Sequence, residues 1–239
     1  MIENCPIILD RNYLTADKIS TGVGNKEALV DGSVEILFSS NTNWANINIE
    51  LGETKIVNYV VFLRHNIDTR IRIYYFRNGS YYSITSITEG LTANNIISFE
   101  DQVYDKFRIE CENTGIVQIG ELIMSRKRFQ FEYPPNNVSI IKKPYLKTYR
   151  LNNGRIVVVQ NDLIKYRKEI TLSWDFLNKT DFDNLEMLSL EKEFCLLLYP
   201  DTNPENSYQC VWTENIKQKL VSDYNRNAGY DVSITFEET

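Results

Sequence analysis

The side chains best suited to chemistry are few and scattered. His65 is the one histidine of the chain and follows the apolar run Tyr59-Val60-Val61-Phe62-Leu63. An imidazole titrates near neutrality, so His65 could act as a general base or touch a ligand. No nucleophile stands near it in a recognisable motif, so it reads first as a loop histidine bonded to its own backbone. The 32 Asp and Glu residues offer many carboxylate pairs. Glycoside hydrolysis needs two carboxylates at a set separation, which chain order alone does not supply. No serine sits in a Gly-x-Ser-x-Gly elbow. Gly22-Val23-Gly24-Asn25-Lys26 lacks the spacing, the Lys-Ser/Thr ending and the following helix of a phosphate loop, so it reads as a turn. Cys5, Cys111, Cys195 and Cys210 form no Cys-x-x-Cys pair. With one histidine they make no zinc set, and neither a metal nor another cofactor is expected. One aspartate at Asp31-Gly32 falls far short of the oxygens a calcium ion needs.

Aromatic residues point to binding rather than catalysis. Tyr74, Tyr75, Phe76, Tyr81 and Tyr82 surround Asn78-Gly79. A tyrosine presents a flat apolar face and a polar tip, which suits sugar stacking and protein interfaces alike. The same tyrosines could instead form a cross-strand ladder, and Trp44 could belong to the core. Tyr81 and Tyr82 are candidates for carbohydrate contact, and the chain is expected not to be an enzyme.

Bulk properties narrow the setting. A chain of 239 residues suits one large or two small domains. A net charge of −6 argues against general nucleic-acid binding. The short basic run Ser125-Arg126-Lys127-Arg128 fits a solvated strand end. Cys111 and Cys195 lie in apolar runs, where a thiol behaves as a small hydrophobe, although the even count leaves one or two disulfides open. No segment approaches about 18 uncharged apolar residues, so no membrane span is expected. Met1-Ile2-Glu3-Asn4 shows neither a basic start nor a long apolar stretch, which predicts synthesis in a cytoplasm without a signal peptide. The Asn-x-Ser/Thr triplets at Asn78, Asn137 and Asn178 then read as chance.

The positioning elements are strands. Ile47, Ile49 and Leu51 share one face, with Asn46, Asn48 and Glu50 on the other. Gly52-Glu53 is expected to turn the chain before the apolar strand Ile56 to Leu63. Arg70 to Tyr75 and Tyr81 to Ile87 flank Asn78-Gly79, a type I′ hairpin signal. Ile7 to Leu9, Val34 to Phe38, Ile96 to Phe99, Lys106 to Cys111 and Ile119 to Met124 complete the strands of the first half, while Asn12 to Asn25 reads as a loop. Phe131-Glu132-Tyr133-Pro134-Pro135-Asn136-Asn137 punctuates the chain. Beyond it, strands are expected either side of the Asn152-Asn153-Gly154 hairpin loop, at Glu169 to Trp174, Phe194 to Tyr199, Tyr208 to Trp212 and Tyr230 to Glu237. Phe182, Leu185 and Leu188, with Met187, recur at helical spacing across 181–190, with Thr180 or Asp181 as cap. The predicted fold is mainly β: a jelly-roll β-sandwich over 1–130, a linker at 131–145, and a β-barrel or sandwich with one short helix over 146–239.

Ala28-Leu29-Val30-Asp31-Gly32, Trp44, Ile47-Asn48-Ile49-Glu50-Leu51-Gly52, Phe107-Arg108-Ile109 and Ile119-Gly120-Glu121-Leu122 together resemble the galactose-binding-like, or discoidin-like, jelly rolls. Glu50 replaces that family's usual aspartate. The resemblance implies ligand contact through loops at one end of the sandwich, here Asn41 to Trp44 and His65 to Thr69, which makes Trp44, His65 and Arg70, with Tyr81 and Tyr82, the expected carbohydrate contacts. The second half, through Ile170-Thr171-Leu172-Ser173-Trp174, Phe194 to Tyr199 and Tyr230 to Glu238, resembles small tail-tip and baseplate proteins of bacteriophages. It implies a virion component made in a bacterial host. Such a component would assemble with other tail proteins, as a ring of its own copies, and could attach to a cell-surface glycan.

Overall fold

The computed structural model describes residues 4–22, 24–31, 36–144, 146–150, 155–160, 166–191, 193–213, 216–222 and 228–238. The Asn152-Asn153-Gly154 loop, Gly32, Val23 and the start of the strand expected at Val34 lie outside them. The described residues are mainly β, built of antiparallel sheets and one α-helix. It divides into two compact units.

The jelly-roll unit comprises Pro6–Gln130 and Cys195–Tyr208. Its strands from the first half are β1 (Ile7–Asp10), β2 (Ile19–Thr21), β3 (Phe38–Ser39), β4 (Trp44–Leu63), β5 (Arg70–Arg77), β6 (Ser80–Ile87), β7 (Asn95–Glu112), β8 (Gln118–Ile119), β9 (Glu121–Ser125) and β10 (Lys127–Gln130). The main sheet runs β2-β4-β7-β5-β6, with β9 also on β4. The segment expected to be a loop between Asn12 and Asn25 carries a 3-10 turn at Ala16–Lys18 and the short strand β2.

Period-two alternation sorts the side chains of β4. Ile47, Ile49 and Leu51 are buried, while Asn46 and Glu50 are exposed. Phe62, Phe107, Ile109 and Ile73 join the same core at 0% exposure. Burying one such side chain contributes roughly 1.5–3 kcal/mol. A second apolar cluster unites Ile7, Leu9, Val61, Leu63 and Ile123 with Cys195 and Leu197.

Gly52 does not turn the chain. It sits at φ +79° inside a 20-residue strand, where the β4–β7 register jumps from Glu50↔Lys106 to Lys55↔Tyr104. Glycine accepts positive φ without a Cβ clash, so the ladder bulges and resumes. The segments expected as separate strands at 96–99 and 106–111 are likewise parts of the continuous β7. At the β5–β6 hairpin, Asn78 (φ 50°) and Gly79 (φ 81°) take the two positive φ angles of a type I′ turn.

The helix-bearing unit comprises Met1–Cys5, Phe131–Phe194 and Gln209–Thr239. After Phe131 the chain forms β11 (Asn137–Pro144), β12 (Leu146–Arg150), β13 (Ile156–Gln160), β14 (Tyr166–Leu177), helix α1 (Lys179–Leu188), β15 (Phe194–Tyr199), β16 (Asn203–Trp212), β17 (Lys217–Ser222) and β18 (Ala228–Glu238). Residues 195–208 of β15 and β16 belong to the jelly-roll unit. In the helix-bearing unit β18 pairs with β14, β17 and the end of β16, and β14 pairs with β11. Trp174 is buried against Phe131, centroids 4.6 Å apart, and its Nε1 donates to Tyr133 O at 3.1 Å.

The helix begins earlier than its pattern predicts. Asn178 is the N-cap, because its Oδ1 accepts from Asp181 N at 2.7 Å. Phe182, Leu185 and Leu188 face inward, while Met187 is 69% exposed. Asp181 is buried in the first turn and accepts from Glu132 N at 2.9 Å. Burial pushes its carboxyl above the ordinary aspartate range.

Candidate binding face of the jelly-roll sheet

Three adjacent strands set the site. Register places Trp44 (β4), Glu112 (β7) and Arg70 (β5) in one row. Asn46, Glu110 and Arg72 form the next row, and Asn48, Arg108 and Tyr74 the third. The intervening residues Ala45, Ile47, Cys111, Ile109, Ile71 and Ile73 are buried. Period two therefore sends all nine row members to the opposite, outer face.

Cross-strand bonds fix these side chains. Arg70 pairs with Glu112. Arg72 Nη1 lies 3.4 Å from Glu110 Oε2, which also accepts from Tyr74 Oη at 3.0 Å. The Tyr74 hydrogen bond, followed by the nearby negative charges, raises the Arg72 pKa above its ordinary value. The Arg72 guanidinium lies 5.9 Å from the Trp44 ring, whose Nε1 donates to Asn46 Oδ1 at 3.0 Å. Arg108 donates through Nε to Asn48 Oδ1 at 2.8 Å and sits 3.8 Å over the Tyr81 ring. Arg70, Arg72 and Glu112 keep 27–31% of their side-chain surface in solvent, so the network is held yet reachable.

Of the five residues the sequence nominates, Trp44, Arg70 and Tyr81 lie on this face, Tyr81 two rows from the others. Tyr82 stacks instead on Tyr75 at 5.5 Å, and Tyr75 on Tyr104 at 4.1 Å, in a separate aromatic set. His65 is buried. Its Nε2 bonds Asn95 Oδ1 at 2.8 Å and its Nδ1 accepts from Ile67 N at 3.1 Å. Loss of hydration holds its pKa below the usual imidazole value, opposed by the Asn95 bond. Sequence reasoning misses Arg72, Arg108, Glu110 and Glu112, and names Tyr74 only within the tyrosine cluster. Their signal is the outward half of the alternations Arg70-Ile71-Arg72-Ile73-Tyr74 and Arg108-Ile109-Glu110-Cys111-Glu112.

The loops 41–44 and 65–69 are tied together by 113–118. Asn113 N donates to Asn43 O at 2.9 Å, and Asp68 N to Asn113 Oδ1 at 3.2 Å. Thr114 N returns to Asp68 Oδ1 at 2.9 Å. Hydrogen bonds from Thr114 and Thr69 hold the Asp68 carboxyl below its ordinary range. Trp44 and Arg70 open the strands that leave this end, so the outer face starts where the loops stop. Among the described residues no group of three or more His, Cys, Asp or Glu side chains could hold a metal ion, and no helix is long and apolar enough to cross a membrane.

No protein family and no curated protein matches the chain. Several solved structures are similar to part of it. A Ruminococcus gnavus GH29 fucosidase in complex with fucose matches at TM-score 0.42 and 14% identity. That match covers 48% of this chain and 26% of the fucosidase, so the chain spans about a quarter of it. Chitosan-binding module 1 of a Paenibacillus sp. IK-5 chitosanase/glucanase matches at TM-score 0.42 and 14% identity, over 47% of this chain and 97% of the module. CpGH89CBM32-5 of Clostridium perfringens, in complex with GalNAc-β-1,3-galactose, matches at TM-score 0.39 and 12% identity, over 46% and 96%. Similarity at this level does not identify a ligand for this chain.

Proposed function

We propose that the chain is a non-catalytic binding protein whose jelly-roll unit takes a carbohydrate on the outer face of β4, β7 and β5. One observation carries the reading: Trp44, Tyr74 and Tyr81 share a half-exposed face with two Arg–Glu pairs and two Asn side chains. A sugar ring has an apolar C–H face and hydroxyls in fixed directions. Aromatic rings serve the first, and carboxylates, guanidinium groups and carboxamides serve the second. The cross-strand bonds pre-set the side chains, so little freedom is lost on binding. Glu110 and Glu112 are both engaged by arginines, which favours a recognition role over attack on a glycosidic bond. A glycan array probed with the intact protein tests the reading. Binding that Trp44→Ala and Arg72→Ala abolish without unfolding supports it, and an array with no bound glycan contradicts it.

A second reading concerns the helix-bearing unit: a structural part of a phage or phage-like tail, acting by assembly into the virion. Its support is the strand β11, which ends the sheet order and leaves Ile140 and Ile141 at 40% and 50% exposure. Next to it in sequence, β12 and β13 form a two-stranded sheet by themselves. An edge strand readily takes a partner, and a lone two-stranded ribbon is marginal in water. In such a particle the jelly-roll unit would meet the host surface. Native mass spectrometry of the full chain should show a closed oligomer, reduced to monomer when 146–160 is deleted. A monomer at high concentration contradicts this reading.

A further inference from the structure

The outer face of β4, β7 and β5 is nearly balanced in charge, and the imbalance sits at one residue. Arg70 holds Glu112, and Arg72 holds Glu110 together with Tyr74. One row beyond Asn48, Arg108 and Tyr74, Glu50 stands opposite Lys106, whose Nζ lies 2.5 Å from Glu50 Oε1. Each carboxylate in these rows thus has its own cation. Arg108 is the cation left over, and among the described residues no carboxylate pairs with it.

Arg108 is nonetheless held in place. Its Nε donates to the neutral carboxamide oxygen of Asn48, and its guanidinium plane is carried on the Tyr81 ring. A guanidinium fixed at both points needs little further ordering when a ligand arrives. The hydrogen bond to Asn48 uses one of its five N–H donors. The donors on Nη1 and Nη2 have no partner among the described residues, and the side chain is half-buried rather than enclosed.

Such donors have a definite complement. The paired N–H groups of a guanidinium match two oxygens of a carboxylate or a sulfate in a forked, charge-assisted contact. Tyr74 stands directly opposite Arg108 on β5, and Ser83 opposite Tyr74 on β6. The cation is therefore flanked by an aromatic ring and hydroxyls, which suit the sugar that carries the acid. The chain as a whole has a net charge of −6. Attraction of an anion to Arg108 is thus local and not a property of the protein's overall field.

We propose that the outer face selects acidic glycans, with the anionic group of one sugar residue seated on Nη1 and Nη2 of Arg108. This rests on the carbohydrate reading of the face and adds the charge of the ligand to it. A neutral sugar leaves the Arg108 fork in water. An acidic sugar exchanges that water for a forked ion pair, and the difference between the two is the preference. Glu50, Glu110 and Glu112 border the fork, and the cation on each offsets its repulsion of the ligand.

The test is calorimetric titration of the full chain with acidic sugars and their neutral counterparts. The pairs are galacturonate tetrasaccharide and its methyl ester, mannuronate tetrasaccharide and mannotetraose, and 3′-sialyllactose and 3′-sulfolactose each with lactose. At least one acidic sugar should bind at least tenfold more tightly than its counterpart, and the two lactose derivatives distinguish carboxylate from sulfate. Arg108→Gln should weaken that sugar at least tenfold and bring the pair within twofold of each other. Lys179→Gln, which removes one positive charge from helix α1, should leave the preference intact. The proposal is overturned if no acidic sugar outbinds its counterpart, if Arg108→Gln keeps the preference, or if Lys179→Gln abolishes it as well. Equal binding of acidic and neutral sugars, removed by Trp44→Ala, would overturn the proposal and leave the carbohydrate reading standing. Binding of no sugar, here or on the array, overturns both. Urea midpoints close to that of the wild type establish that each variant is folded.

Discussion

Two exposed sheet faces of this protein follow the same alternation and present opposite chemistry. On β14 and β18, Thr171 Oγ1 meets Thr235 Oγ1 at 3.2 Å, and Ser173 Oγ donates to Ser233 Oγ at 3.1 Å. These small hydroxyls satisfy one another across the pair. On β4, β7 and β5 the corresponding outward positions hold Trp44, Tyr74, Arg70, Arg72, Arg108, Glu110 and Glu112. Guanidinium groups and carboxylates have more hydrogen-bonding sites than one partner can fill, and the aromatic rings present flat edges to solvent. Period two decides that a face is outward. Side-chain size and unused bonding capacity decide whether it can take a ligand.

The largest expected effect separates the two sides of the jelly-roll sheet. Phe107→Ala on the buried side should cost about 3–5 kcal/mol in urea unfolding, while its neighbour Arg108→Ala should cost about 1 kcal/mol or less. Equal costs would mean that the outer face is structural rather than a binding surface. Trp44→Ala should weaken glycan binding at least tenfold, roughly 1.4 kcal/mol, at nearly unchanged stability. Ser173→Ala with Thr171→Val on the other face should leave glycan binding unaltered and cost about 1 kcal/mol in stability for the lost hydroxyl pairs.

Smaller effects come from one buried titratable group in each unit, and their signs are opposite. The folded pKa of His65 lies below its ordinary 6.5 because burial disfavours the imidazolium. Its contribution is complete above pH 6.5 and is lost as the pH falls from there through the lower folded pKa, since the unfolded chain protonates first. Urea midpoints should therefore drop between pH 7.5 and 5.5, and His65→Gln should flatten that slope. The carboxyl of Asp181 is raised, again chiefly by burial, so its contribution is present below 3.8 and is lost as the pH rises. Asp181→Asn keeps an acceptor for Glu132 N and should raise the midpoint at neutral pH.

Much of the fold is legible because local pattern carries it. The alternation of Ile47, Ile49 and Leu51, the Asn78-Gly79 hairpin and the Phe182–Leu185–Leu188 stripe each correspond to an element of the structure. Gly52 misleads because a glycine signals a turn and a bulge equally well. Only the partner strand β7 running alongside distinguishes them. The site is less legible. Arg70 meets Glu112 across 42 residues, and Arg72 meets Glu110 across 38. Such pairs depend on which strands are neighbours and in what register, and no local period reports that. Tyr81 and Tyr82 are adjacent in sequence, yet pleating sends them to different sets. His65 bonds its own local backbone at Ile67 N, as a loop histidine is expected to, but chain order gives no sign that Asn95, 30 residues on, occupies the other ring nitrogen.

The central claim is that the Trp44–Arg72–Tyr74 face is a carbohydrate site. Its most direct test is calorimetric titration of the intact protein, and of folded Trp44→Ala and Arg72→Ala, with the strongest glycan from an array. Saturable binding by the wild type, lost at least tenfold in both variants, is the predicted result. Equal binding by all three proteins, or no binding by the wild type, would contradict it.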